Sequence, residues 1–272
     1  MQFKTPSIFH LAGTRLHLMP TKGYLKHLGA PEWPVDPNIS DAEMLIEICG
    51  RSCYKSFGTE LNPNITKVRE GNTAYLGNII KTEHGSVIEH AYDTFAFCDV
   101  SRVFTHELVR HRLANYSQES MRFIRPTALS TIFPQVYTDH LSKGKAAQVR
   151  DLFETVFEYI EEIQQNLVDI CGMDDPNLNF NLKKLFQSAN RRLIPDGVLT
   201  GIITTFNHRT GRFVIAQRTS VHAEEEIRYV YYQVFKQLAT KYPALYQDAI
   251  VGEEVTIYDK QIAEVKFAHH KI

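Results

Sequence analysis

Residues 92–110 read YDTFAFCDVSRVFTHELVR, and this stretch decides the fold class. Over 92–99 the side chains alternate, with Phe95 and Phe97 turned to one side, which predicts a strand with one buried face. Ser101 then suits a helix N-cap. Val100, Val103, Phe104 and Leu108 fit a helical stripe, so a helix is expected to about Arg110. Upstream, Ser40 opens a helix, with Glu43 completing a capping box. Ala42, Leu45, Ile46 and Cys49 share one of its faces, and Gly50 is expected to stop it. Residues 73–82 also read as helical. Downstream, Val149, Leu152, Phe153, Val156, Phe157, Ile160, Ile163, Leu167 and Ile170 recur at helical spacing between Gln148 and Cys171, and Gly172 ends that helix. Further helices are expected over 180–192 and 221–241, and a β-branched strand over 197–206. The first 40 residues look irregular.

This mixture has no repeating βαβ pattern. It predicts an α+β fold, a small largely antiparallel sheet packed with long helices. No linker divides the chain, so one domain over 1–272 is expected, with an irregular extension at 1–39 and another extension at 245–272.

The 272 residues are 43% apolar and 22% charged, which excludes a disordered or fibrous chain. Thirty Lys and Arg against 31 Asp and Glu give a formal charge of −1, which argues against a general nucleic-acid binder. No apolar run approaches the ~18 residues of a membrane span. The start lacks the basic-then-apolar build of a secretory signal, and the four cysteines (Cys49, Cys53, Cys98, Cys171) form no dense framework. A cytoplasmic protein with reduced thiols is expected.

The neutral total hides two basic clusters. Residues 102–125 hold Arg102, Arg110, Arg112, Arg122 and Arg125 with His106 and His111, opposed only by Glu107 and Glu119. Residues 190–222 hold Arg191, Arg192, Arg209, Arg212 and Arg218 with His208 and His222, against Asp196 alone. Arginine clusters in a neutral protein suit compact anionic ligands, because the planar fork binds phosphate bidentately and stacks on rings. On a helix, Arg110, His111 and Arg112 would point about 100° apart, so they fit a helix end entering a loop. The polar stretch that follows, with Asn115, Ser117, Gln118 and Ser120, can cradle a phosphate with backbone N–H groups. Other chemistries fail on spacing. His106 and His111 are one residue too far apart for the zinc-protease pattern, and no metal site is expected. There is no dinucleotide or Walker glycine loop, and Ser120 lacks a nucleophile elbow.

Arg110-His111-Arg112, seven residues and Ser120 form the pattern RHR-x7-S. It resembles the signature of the flavin-dependent thymidylate synthases. Four further segments agree in order: His84-Gly85-Ser86-Val87-Ile88-Glu89-His90, Asn190-Arg191-Arg192-Leu193-Ile194-Pro195, Asn207-His208-Arg209, and Arg218 with His222-Ala223 and Glu226-Ile227. The loop Ser117-Gln118-Glu119-Ser120, with Arg122 and Phe123, also matches. The resemblance implies a homotetramer, FAD as cofactor, dUMP as substrate, and methylenetetrahydrofolate and NADPH as co-substrates. It implies that Arg110, His111, Arg112, His84, Ser86, Gln118, Asn207, Arg209, Phe213 and His222 lie at FAD. It implies that Glu107, Leu108, Val109, Arg110, Gln118, Glu119, Ser120, Met121, Arg122, Arg191 and Arg218 lie at dUMP, with Arg218 stabilising ionised uracil.

Three positions depart from that pattern. Glu107 stands where the family usually has Gln, and pairing with Arg110 at i, i+3 is the expected way to hold its charge. Phe213 replaces a polar residue, and Phe123 replaces Tyr. The bland expectation for Arg218 is an ion pair with Glu224 or Glu225. Two rival functions remain at this level, a related flavoenzyme acting on dCMP through Glu107 and a non-catalytic nucleotide- or RNA-binding protein.

Overall fold

The structure, a computed structural model, describes residues 1–125 and 128–269. In chain order it contains β1 (Gln2–Phe3), β2 (Ser7–Gly13), α1 (Leu18–His27), α2 (Asp41–Tyr54), α3 (Asn72–Lys81), β3 (Tyr92–Ser101), α4 (Arg102–Leu108), β4 (Asn115–Gln118), β5 (Ser130–Thr131), α5 (Val136–His140), α6 (Lys143–Ile170), α7 (Phe180–Asn190), β6 (Leu199–Asn207), α8 (His208–Arg218), α9 (Glu225–Lys241), β7 (Ala249–Ile257) and β8 (Lys260–Phe267).

The main sheet has the order β2-β3-β6-β4 and is antiparallel throughout. Phe95 faces Thr204 and Phe97 faces Ile202 across β3 and β6. Both rings are fully buried; they stack on each other, and Phe95 also stacks on Phe206. Burying each such ring contributes roughly 1.5–3 kcal/mol. The register shifts between Phe97 and Val100, where Asp99 takes a φ of 54°. This bulge turns both Val100 and Ser101 inward, which delivers Ser101 to the start of α4 as a buried cap. Helices α2, α3, α8 and α9 close the inner face of the sheet in one core with Ile46, Leu76, Ile215, Val230 and Leu238. The α+β expectation of a small antiparallel sheet packed with long helices matches this architecture.

Several expectations are corrected. The first 40 residues are not irregular, since they supply β1, β2 and α1. Gly50 does not stop α2, which runs on to Tyr54 and ends at Lys55 in a left-handed conformation (φ 50°). Its role is close packing, because a Cβ there would lie 2.6 Å from the hydroxyl of Tyr75. The helix after Ser101 stops at Leu108, short of Arg110, and Val103 is exposed on it. Part of the polar stretch, Asn115–Gln118, is a strand paired with β6. Helix α6 starts at Lys143, five residues before Gln148, and Leu152, Val156 and Ile170 on its apolar stripe are exposed. Helix α9 starts at Glu225, after a turn. Helix α8 has no counterpart among the expected elements, and the C-terminal extension is a hairpin. Its Tyr258 and Asp259 both have positive φ, as a two-residue hairpin turn requires. Ile257, Ile262, Val265 and Phe267 of the hairpin join the core.

Candidate active site

The RHR segment begins where α4 ends. Ser101 Oγ accepts from Phe104 N at 3.0 Å, and its backbone N–H donates to Glu226 at 2.7 Å. Ser101 Oγ also bonds the second oxygen of Glu226. Glu226 opens α9, so one carboxylate fixes the start of α4 against the start of α9. Burial pushes this carboxyl up to about 8. At the other end of α4, Tyr116 donates its hydroxyl to the carbonyls of Leu108 (2.9 Å) and His111 (2.8 Å). That contact closes the turn 109–112. Arg110 and Arg112 point to solvent, and among the described residues no carboxylate pairs with either. His111 turns inward. Leu108 is wholly buried, so only its backbone faces the turn.

Inside the turn sits Arg218, the last residue of α8. Its Nε donates to His111 Nε2 at 2.7 Å, Nη1 to Glu107 Oε2 at 2.6 Å, and Nη2 to the Glu107 carbonyl at 3.0 Å. This corrects two expectations, because Glu107 pairs with Arg218 rather than Arg110, and Arg218 pairs with neither Glu224 nor Glu225. Geometry explains the choice. The Glu107 carboxylate and carbonyl both face the Arg218 fork, while Arg110, beyond the end of α4, points to solvent. Burial, reinforced by the Arg218 charge, holds the His111 imidazole down at about 4. It is therefore neutral and carries its proton on Nδ1. Phe213 meets its ring edge-on at 6.1 Å. Burial also pushes Glu224, the N-cap of α9, up to about 7, with help from the Glu225 and Glu107 charges.

The loop after β4 is a tight turn. The Ser120 carbonyl accepts from Phe123 and Ile124 N–H, at 2.9 and 3.0 Å. Gln118 Nε2 donates to Thr105 Oγ1 at 3.1 Å. Glu119 is turned to β6, where it accepts from Gly201 N at 2.8 Å and Thr200 Oγ1 at 3.3 Å. Its carboxylate thus anchors the loop. The Met121 carbonyl accepts from Gln187 Nε2 of α7 at 3.3 Å, and Arg191 is exposed at the end of that helix.

A second group gathers at the start of α8. Asn207 Oδ1 caps the helix by accepting from Thr210 N at 2.8 Å. Arg209 reaches Glu89 at 2.5 Å and lies against Gly85, where a Cβ would sit 2.8 Å from Arg209 Nε. His84, Gly85, Ser86 and Arg209 line a cavity of about 380 Å³. Its other wall includes Cys53 and Tyr54 of α2, and Tyr54 stacks on His84 with ring centroids 6.0 Å apart. Thr105, Tyr116 and Tyr54 were not foreseen, and no local pattern marks them. His222 lies exposed in the turn before α9, with no described contact to either group. Among the described residues no three His, Cys, Asp or Glu side chains gather as a metal site. Among the described residues no helix is long and apolar enough to cross a membrane.

Residues 37–244 match the family model described as thymidylate synthase complementing protein. A flavin-dependent thymidylate synthase from Mycobacteroides abscessus is 34% identical over 235 residues, covering 83% of this chain and 88% of that protein. The chain belongs to the flavin-dependent thymidylate synthase family. A second member, from Corynebacterium glutamicum, is 33% identical over 222 residues, covering 80% of this chain and 82% of that protein. The fold resembles a UMP/dUMP methylase, PolB from Streptomyces cacaoi, solved with 5-Br dUMP, at a TM-score of 0.63 and 16% identity over 91% of this chain and 96% of that one. Family membership makes this chain a flavin-linked enzyme and places the RHR turn inside the matched region.

Proposed function

We propose that the chain catalyses flavin-dependent reductive methylation of dUMP to dTMP. Methylenetetrahydrofolate donates the carbon, NADPH is the reductant and FAD is the cofactor. The observation that carries this reading is the donor count on Arg218. A guanidinium has five N–H donors. His111 and Glu107 take three of them, which leaves one N–H on each Nη. Two free N–H groups on a half-buried cation suit the N3 and carbonyl edge of a uracil ring. A fixed cation there favours loss of the N3 proton. The displaced electron density reaches C5, which becomes the nucleophile without an attacking group from the protein. His111, being neutral, holds Nε without adding charge.

The residues fit a flavin dinucleotide. Arg110 and Arg112 offer guanidinium groups with no carboxylate partner among the described residues, beside the Arg218 turn, and their positive charge suits a pyrophosphate. Ser86 and Arg209, the latter in the first turn of α8 and close against Gly85, line an open cavity. A bound flavin supplies hydride chemistry, and the chain supplies alignment and charge. The turn 118–122 and Arg191 hold the nucleotide phosphate in this reading.

Uncovered apolar side chains support the homotetramer. Leu152, Val156 and Tyr159 on α6 and Leu185 on α7 are all more than half exposed. Leu152, Val156 and Tyr159 share one face of α6, and exposed apolar side chains of this kind are what subunits cover. We place the enzyme in the cytoplasm, acting on free nucleotide rather than nucleic acid.

The test is product mass after incubation with FAD, NADPH, methylenetetrahydrofolate and dUMP. A methyl-sized gain that depends on NADPH is expected. Methylation of dCMP in place of dUMP would move the assignment to Glu107, whose Oε1 has no described partner and can accept from an exocyclic amine. A colourless preparation that binds RNA with strong salt dependence would overturn the enzyme reading.

A further inference from the structure

We propose that the cleft between the 122–125 turn and the start of α7 is a further anion site, bordering the 118–122 turn through Arg122, for the multiply charged tail of a co-substrate. Its volume is about 120 Å³, and Arg122, Phe123, Arg125, Phe180, Lys183 and Lys184 line it. That is smaller than the roughly 150 Å³ that holds a benzene ring, so the cleft suits a phosphate or a pair of carboxylates.

Three observations point to an anion. The first is charge imbalance. Arg125 pairs with Asp174 at 2.9 Å, while among the described residues Arg122, Lys183 and Lys184 have no carboxylate partner. The second is the placement of the lysines. They are the fourth and fifth residues of α7, whose first turn has no acidic residue. The start of a helix is its positive end, where cations are unfavourable and anions are stabilised. Asn179 Oδ1 already accepts from the N–H groups of Asn181 and Leu182, so the charge left without a counterion here is that of the two half-buried lysines. The third is rigidity. Gln187 Nε2 holds the Met121 carbonyl at 3.3 Å, and Lys184 Nζ lies 4.6 Å from the Phe123 ring centre. The two walls are thus fixed to each other before any ligand arrives. Phe123 and Phe180, both largely exposed, give the rim flat apolar faces for the uncharged part of the same ligand.

Two co-substrates carry such a tail, and the proposal rests on the functional reading above only in naming them. The reductant offers a ribose phosphate and the carbon donor offers glutamate carboxylates. Binding measured by calorimetry separates the two. One pair of probes is NADP+ and NAD+, which differ by one phosphate. The other is methyltetrahydrofolate with three glutamates and with one. In the unmodified protein the more charged member of one pair should bind about tenfold tighter. In K183A/K184A that preference should fall to within about twofold, and in K183R/K184R it should persist. Loss of the first preference assigns the phosphate, and loss of the second assigns the carboxylates. A protein with neither preference, an unchanged preference in K183A/K184A, or equal loss in the arginine variant would overturn the proposal. Circular dichroism of each variant controls for folding. Methylation of dUMP by the same preparations reports separately. Lysine-dependent binding without methylation removes the functional reading and keeps the site, and methylation without lysine dependence does the reverse.

Discussion

Arg218 Nε donates to Nε2 of His111 at 2.7 Å, although 107 positions separate them in the chain. The bond exists only while that imidazole nitrogen keeps its lone pair. Burial and the arginine charge hold His111 at about 4, below its ordinary 6.5. Between these values the unfolded chain binds more protons than the folded one, so stability falls as pH drops through that window. Denaturant melts at pH 7 and pH 5 should show this loss in the native protein and a smaller loss in H111Q. Equal pH dependence in both would remove His111 from the account.

Arg218 is expected to separate two half-reactions. In R218A, reduction of bound flavin by NADPH should survive, while methylation of dUMP drops by about 10²–10³, the range for removing one charge-stabilising donor. R218K should fare little better. An ammonium has three donors against the five of a guanidinium, so it cannot hold His111 and Glu107 through three bonds and keep two N–H groups for the nucleotide. Stopped-flow flavin bleaching and product formation test the two steps separately. Full methylation by R218A would sink the assignment.

The Glu226 carboxyl makes the opposite pH prediction. Its folded value of about 8 lies above the ordinary 4.5, so the folded state binds the extra proton. Stability should fall as pH rises from about 4.5 through 8. E226Q retains an acceptor and a donor next to Ser101, so it should cost less than about 1 kcal/mol near neutral pH and flatten that slope. E226A should cost about 1–3 kcal/mol, because it leaves the buried Ser101 N–H unpartnered. Melts of the three proteins across pH 5–9 measure both effects.

Local signals carried much of this molecule into the sequence reading. Ser40 and Ser101 cap helices, and the alternation around Phe95 and Phe97 is a strand. The RHR pattern marked the turn where Glu107, His111 and Arg218 meet. What stayed hidden is non-local or polar. Helix α8 escaped because one of its core positions is Arg212, a buried guanidinium held by both oxygens of Asp248 and lying over Phe267. A cation in the core does not read as an apolar stripe. The Glu107–Arg218 pair joins α4 to the end of α8, and no spacing rule reaches across 111 positions.

Gly50 shows a local rule overruled by packing. Glycine inside a helix lowers stability by about 1 kcal/mol relative to alanine, so G50A should stabilise an isolated α2. In the folded protein the new Cβ would lie 2.6 Å from the hydroxyl of Tyr75, a buried ring that also stacks under Arg51 at 4.3 Å. Overpacking of this kind costs about 1–3 kcal/mol, so G50A should be destabilised overall. G50A in a Y75F background should recover part of the loss, since the clashing oxygen is gone. A double-mutant cycle by chemical denaturation measures the coupling, and additive effects would mean that the two residues do not meet.

The uncovered stripe on α6 makes the last prediction. Phe157 and Val168 bury their side chains within the chain, while Leu152, at 64% exposed, and Tyr159, at 62%, do not. Leu185 of α7 is also 62% exposed. Helical apolar residues left in water gain by covering one another, so copies of this chain should associate through α6 and α7. L152E and L185E place charges in that contact without touching the core. Each should shift the sedimentation equilibrium from tetramer toward smaller species, while far-ultraviolet circular dichroism stays unchanged. If the wild-type protein sediments as a monomer, the stripe is not a subunit contact. If the variants remain tetrameric, subunits meet elsewhere on the surface.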